Sequence, residues 1–233
     1  MEPLFNKADC QHCRLAGICL PCGLACEEVS QLETIVSRRR PLKPEEYLYR
    51  QEDHADSIYV VKSGSFRGIM LDSEGIEQTA DFYLPGEVMG LDALQKGSFR
   101  CSAVALETSA VCELPMTRLN DLCTKIPRLQ SQLLHIIGTQ ISLHQEHVAL
   151  LGNQSASAKL GAFLLMLSQR YSALGYSSTE FNLSMDRHDI ASFLSLTVET
   201  VSRQLTKLKD AGIVSVKRRG VQINNMDSLR AVA

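Results

Sequence analysis

The chain has 233 residues, 45% of them hydrophobic, and a formal net charge of -2, which is enough material for one large domain or two modest ones with a real core. No run of eighteen or more apolar residues occurs, and no basic segment followed by an apolar one opens the chain, so neither a membrane span nor a signal peptide is expected and the cytoplasm is the expected compartment. Charge is uneven: residues 1–154 hold 14 Lys and Arg against 20 Asp and Glu, residues 155–233 hold 10 against 6, and a basic C-terminal third suits a phosphate backbone.

Eight cysteines without a secretion signal point to thiolates that bind metal or sense redox state rather than to a disulfide framework. Five of them fall between Cys10 and Cys26, in a glycine-rich stretch without periodicity; residues 1–29 are expected to be an arm whose order depends on a ligand. Cys10, Cys13, Cys19 and Cys22 form C-x2-C-x5-C-x2-C, so a local four-thiolate zinc site stays open at this point.

From about Pro41 to Pro115 short apolar, aromatic and β-branched runs such as "SIYVVKSGSFRGIML" and "SAVALETSAVCELP" alternate between turn signals, with Gly64, Gly75, Gly86, Gly90 and Gly97 as punctuation. That pattern predicts an antiparallel β-sandwich or roll, placed at residues 30–123. After Pro127 one long helix is predicted, in a connector at 124–152. Its stripe of Leu133, Ile137, Ile141, His144, Val148 and Leu151 steps close to a coiled-coil seam and can pair with a second copy. "GNQSAS" is expected to act as a hinge before a C-terminal domain at 153–233.

In that domain "MDRHDIASFLSLTVETVSRQLTKLKDAGIV" fits two helices joined by a tight turn, with Ile190, Ala191, Leu194, Val201, Leu205 and Leu208 facing inward. The second helix presents Glu199, Ser202, Arg203 and Lys207 outward, the first three at the spacing that shares one helix face. "GIVSVKRRGVQINN" is a predicted two-stranded hairpin with Arg218 near its basic tip. The whole is an α+β protein: a jelly-roll-like antiparallel β-roll with a cysteine-rich arm, a dimerisation helix, and a winged helix-turn-helix domain.

"LTVETVSR" at 196–203, the cysteine cluster and "ALETSAVCELP" at 105–115 resemble the oxygen-sensing FNR branch of the cyclic-AMP receptor protein superfamily over nearly the full length. The resemblance implies a homodimeric transcription regulator, an activator under anaerobic conditions, in which Glu199, Ser202 and Arg203 bind palindromic TTGAT-type sites in double-stranded DNA. It implies Cys10, Cys13, Cys19 and Cys112 as ligands of a 4Fe-4S cluster, which oxygen converts to 2Fe-2S or removes, lowering dimerisation and DNA binding. It gives no role to Cys22, Cys26, Cys101 or Cys123. It assigns RNA polymerase contact to the acidic turn with Asp72, Glu74 and Gly75. His144, on the seam, is a candidate for tuning dimerisation by protonation.

Within the superfamily a cyclic nucleotide is not expected, because Leu91 stands where the ribose-binding Glu belongs and "FRCSA" separates Arg100 from Ser102. A zinc-stabilised or haem-based regulator is the alternative, although haem leaves the opening cysteines unexplained. An iron-sulfur oxidoreductase is the enzyme alternative. The chain lacks a Gly-rich phosphate loop, a G-x-S-x-G and a His-carboxylate constellation, so no enzymatic activity is expected.

Overall fold

A computed structural model describes residues 9–152 and 155–233 and divides into two compact units, 1–141 and 142–233. The first eight residues of the expected arm, and Asn153 and Gln154 of the expected hinge, lie outside the described residues. No helix among the described residues is long and apolar enough to cross a membrane.

In the first unit the arm runs through successive turns, and a helix appears where only loop was expected: α1, Cys26–Glu33. The Glu28 side chain reaches back to the Ala25 N–H at 2.7 Å, a cap that fixes the start of the helix. Eight strands follow: β1 Ser37–Arg38, β2 Tyr47–Tyr49, β3 Ser57–Ser63, β4 Phe66–Leu71, β5 Glu77–Tyr83, β6 Val88–Met89, β7 Ser102–Ala105 and β8 Ala110–Pro115. They form two antiparallel sheets, ordered β1-β8-β3-β6 and β2-β7-β4-β5, as the sequence pattern predicted.

The central strand β3 is buried for five successive residues rather than alternately. Tyr59 and Val61 face the second sheet, packing with Phe66, Tyr83 and Ala103. Ile58 and Val60 face the other way, under Leu20 of the arm, Leu32 of α1, and Leu119 and Leu122 of a short helix α2, Met116–Lys125, that the sequence pattern did not reveal. A strand covered on both faces loses its polar alternation.

Helix α3, Pro127–Leu151, begins on a proline, the position at which the missing N–H costs nothing. Its first turns belong to the first unit: Leu129 is wholly buried, and Leu133 and Ile136 pack on the same core. Gln132 and Gln140 of this helix donate from Nε2 to the Cys19 carbonyl at 3.2 Å and the Val88 carbonyl at 2.6 Å.

The second unit holds the last turns of α3, then α4 Ala156–Ala173, β9 Glu180–Asn182, α5 Arg187–Leu194, α6 Val198–Asp210, β10 Val214–Lys217, β11 Gly220–Ile223 and α7 Met226–Val232. The expected two-stranded wing is a three-stranded sheet, β10-β11-β9, because the short "EFN" segment pairs with β11. Ser195, with φ of 50°, ends α5 and makes the tight turn into α6. All six residues expected to face inward, Ile190, Ala191, Leu194, Val201, Leu205 and Leu208, are buried. The end of α3 is clamped to the end of α5: the His147 ring stacks on Phe193 at 3.8 Å and its Nε2 lies 2.8 Å from the Phe193 carbonyl. Beside it the buried Lys159 Nζ reaches the Leu151 and Leu194 carbonyls.

Gly86, with φ of +89°, makes the turn from β5 to β6 and lies directly under the arm: a Cβ there would stand 2.8 Å from Ile18 Cδ1. Gly86→Ala is therefore expected to lower stability by about 1–2 kcal/mol in urea unfolding and to make residues 10–24 more sensitive to proteolysis. An unchanged midpoint and cleavage pattern would show that the arm does not depend on this contact.

Candidate metal centre and nucleic-acid interface

Three cysteines of the arm and one from the sheet share one cavity. Cys10, Cys13, Cys19 and Cys112 line one cavity of about 40 Å³ whose other walls, Lys62 apart, are apolar side chains such as Leu20, Val60 and Leu114. Cys22, the fourth member of the local C-x2-C-x5-C-x2-C set, does not line it. The donor set is thus four sulfurs without a carboxylate or an imidazole, which suits an iron-sulfur cluster or zinc.

Local hydrogen bonds position these thiols. The Glu33 carboxylate at the end of α1 accepts from the Cys10 N–H at 2.6 Å and the Gln11 N–H at 3.0 Å. Gln11 Nε2 in turn donates to the Cys26 carbonyl and to Ser30 Oγ, so the arm is laid along α1 by its backbone and one amide. Consecutive turns from the Cys10 carbonyl to the Cys22 N–H bring Cys10, Cys13 and Cys19 to the same side. Cys112 is held by the sheet itself, between Arg38 of β1 and Val60 of β3. Sequence pattern did not indicate Glu33, Gln132 or Lys62 as part of this neighbourhood, since contacts across sheets and helices leave no spacing signal.

Burial pushes the Cys10 thiol up to about 12, and the neighbouring Cys112 adds repulsion. Deeper burial takes Cys19 to about 12 against the pull of the Leu20 N–H. Cys112 is also raised by burial, while Lys62 and Arg38 draw it back. At neutral pH Cys10, Cys19 and Cys112 are therefore thiols, and a bound metal centre is what would ionise them. All eight cysteines are free of disulfides; Cys101 and Cys123 are buried in the core, Cys22 is half-buried and Cys26 is exposed.

On the reader, Glu199, Arg203 and Lys207 are exposed along α6, and Ser202 is half-buried among them. Thr197 caps the helix by accepting from the Thr200 N–H, leaving the first turn free to face a ligand. Arg187, which the sequence reading did not single out, crosses from α5 to donate from Nη1 to Ser202 Oγ at 2.8 Å. Arg218 is exposed at the turn between β10 and β11 in a left-handed conformation with φ of 55°.

On α3, Ile141, Val148 and His144 are exposed, Ile137 and Leu151 are half-buried, and Leu133 turns toward the core. Leu134, which was not in the predicted stripe, is 62% exposed and joins Ile141 at 53% and Val148 at 69% at a seven-residue spacing. Asp72, Glu74 and Gly75 form the exposed turn between β4 and β5; Asp72 Oδ1 accepts from the N–H groups of Glu74 and Ile76, and Gly75 supplies a φ of +79°.

Residues 158–232 match the Crp-like helix-turn-helix domain and residues 39–125 match the cyclic nucleotide-binding domain. The chain is 37% identical, over 96% of its own length and 90% of the relative's, to the fumarate and nitrate reduction regulatory protein of Salmonella typhimurium. The chain belongs to the FNR family. The FNR-family sequence is also 40% identical to the transcriptional activator protein Anr of Pseudomonas protegens, covering 98% of this chain and 93% of that one. Among solved structures, FixK2 from Bradyrhizobium japonicum superposes with a TM-score of 0.78 at 27% identity, covering 85% of this chain and 97% of that one.

A thiol whose folded pKa lies above the unfolded value of 9.0 stabilises the fold below that pH and loses the contribution as pH rises toward about 12. The metal-free FNR-family protein should thus show a falling thermal midpoint from pH 9 upward. At pH 8 a mass-spectrometric alkylation course should find exposed Cys26 modified before Cys10 and Cys19. Equal rates at the three positions would contradict the described burial.

Proposed function

We propose that this protein is an oxygen-responsive transcription regulator that holds a 4Fe-4S cluster on Cys10, Cys13, Cys19 and Cys112 and binds palindromic TTGAT-type promoter sites as a homodimer when oxygen is low. The observation that carries the reading is the convergence of arm and sheet thiols on one cavity. Two relatives support it, one named for fumarate and nitrate reduction and the other as a transcriptional activator, together with the helix-turn-helix of the second unit.

When bound, the cluster supplies an oxygen-labile link between the arm and β8. The chain's own residues do the rest. Glu33 and Gln132 hold the arm backbone on either side of the cysteines, and Gln132 belongs to the helix that exposes Leu134 and Ile141. Order in the arm therefore stabilises the start of α3, and a second copy covers the exposed apolar stripe. Two readers on one dimer bind two half-sites, so loss of the dimer removes the second half-site's contribution to affinity. On the DNA, Arg203 supplies a bidentate donor for guanine, Glu199 an acceptor for a cytosine amino group, and Ser202 a hydroxyl, while Lys207 and Arg218 face phosphates. The turn with Asp72, Glu74 and Gly75 offers RNA polymerase an acidic, exposed surface.

Cyclic-nucleotide control is disfavoured on this reading although the first unit matches that domain. The roll interior is filled by the stacked rings of Tyr49 and Phe99, 3.7 Å apart, with Tyr59 beside them. Leu91 opens the short 3-10 turn where a ribose would require a carboxylate.

Protein purified without oxygen should be brown, absorb near about 400 nm and carry about four irons and as many sulfides per chain. On admission of air the absorbance should fall as light scattering shows dimers becoming monomers; a colourless zinc protein indifferent to air would sink the reading. On a promoter fragment, Arg203→Ala is expected to cost about 1–3 kcal/mol and to relax specificity at one base pair. Lys207→Ala should weaken binding to all sequences alike and reduce the salt slope by about one. Equal discrimination between cognate and altered half-sites by wild type and Arg203→Ala would remove Arg203 from the base-reading set.

A further inference from the structure

Two cations lie on the strands that flank Cys112, and among the described residues neither forms an ion pair, although Arg38 is near enough to Asp9 to help lower that carboxyl's pKa. Arg38 of β1 is the direct cross-strand neighbour of Cys112, and its Nε is buried with no hydrogen-bond partner. On the other side Val60 of β3 is paired with Cys112, and the register of β3 on β8 shifts between Val61 and Ser63, which makes Lys62 the bulged residue. A bulge re-aims a side chain, and among the described residues Lys62 is the single cation lining the four-cysteine cavity. Neither Lys62 nor Arg38 forms an ion pair among the described residues, unlike Arg39 and Arg40 on the same stretch, which pair with Glu113 and Glu46.

An unpaired, half-buried cation beside apolar walls is unfavourable by itself and becomes favourable opposite an anion. Four thiolates bring four negative charges into this cavity, and a cluster core only partly offsets them. We propose that Lys62 and Arg38 are the counter-charges of the thiolate set, and that they set how fast the bound group is lost to oxygen. The inference rests on the cluster reading above and adds these two positioning residues to it.

The direction follows from charge. Oxidation begins when one electron passes from the site to dioxygen, giving superoxide and leaving the site one unit more positive. Nearby positive charge favours the electron-rich state, so the two cations slow that transfer and their removal speeds it. Part of the Lys62 effect is reachable by solvent ions, because the side chain is half-buried, and that part is screened by salt.

The test uses the full chain purified without oxygen as wild type, Lys62→Met, Lys62→Arg and Arg38→Met, with iron and sulfide assayed before air-saturated buffer is mixed in. Half-lives of the visible absorbance are then compared per assembled cluster. Lys62→Met and Arg38→Met should decay at least about threefold faster than wild type, Lys62→Arg should match wild type, and the Lys62→Met difference should narrow as salt rises. A Lys62→Met chain that assembles no cluster while Lys62→Arg assembles one supports the same role, the charge then being needed for retention. Fully loaded Lys62→Met with a wild-type half-life at low salt overturns the proposal while leaving the cluster reading intact. A wild-type chain without iron and sulfide overturns both.

Discussion

Everything in the first unit turns on how a cysteine-rich arm is made to lie against a β-sheet about ninety residues further along the chain. The arm has little regular structure with which to hold itself, so its backbone is satisfied by turns, by the Glu33 carboxylate and by the Gln132 amide. Among its described residues Leu20, 1% exposed, shares a core with Leu32, Ile58 and Leu114. Three thiols of the arm and Cys112 then line one half-buried cavity with mostly apolar walls. Burial makes Cys10, Cys19 and Cys112 costly to ionise, so on the proposed reading a bound metal centre and the docked arm would favour each other.

Helix α3 is the part of the molecule where this local event acquires a consequence. Its first turns are packed on the arm's core through Leu129, Leu133 and Ile136, while Leu134, Ile141 and Val148 remain exposed along it. One helix therefore carries both the residues packed on the arm's core and the exposed apolar residues Leu134, Ile141 and Val148, which is what the proposed switch would require. Its last turns belong to the DNA-reading unit, clamped there by the His147 stack on Phe193 and by Lys159. Burial holds the His147 imidazole below its ordinary pKa, consistent with a neutral ring that donates from Nε2 to the Phe193 carbonyl.

Charge is distributed to suit both tasks. Around Cys112 the half-buried Arg38 and Lys62 form no ion pair among the described residues, and over the reader Arg187, Arg203, Lys207 and Arg218 are exposed. Arg187 shows how the two helices of the reader act as one surface, since it fixes the Ser202 hydroxyl from the neighbouring helix.

What the sequence by itself determined is whatever is periodic or local. The apolar spacing of the two reader helices, the alternation and glycine punctuation of the roll, and the length of α3 all repeat at the period of the element they form, so they were legible from residues such as Ile190, Val201 and Gly75. The dense cysteines announced a thiolate site, whose local spacing offered Cys22 as the fourth member while only the family resemblance pointed to Cys112. Only the tertiary structure brought Cys112 to the cavity and left Cys22 outside its lining, because strand pairing between β1, β8 and β3 and the burial of Leu20 decide which sulfurs meet. The same holds for Leu133 turning inward while Leu134 faces out, for the third strand of the wing, and for Lys62 at its bulge. These depend on contacts between segments far apart in the chain, which the spacing of residues within a single segment does not encode.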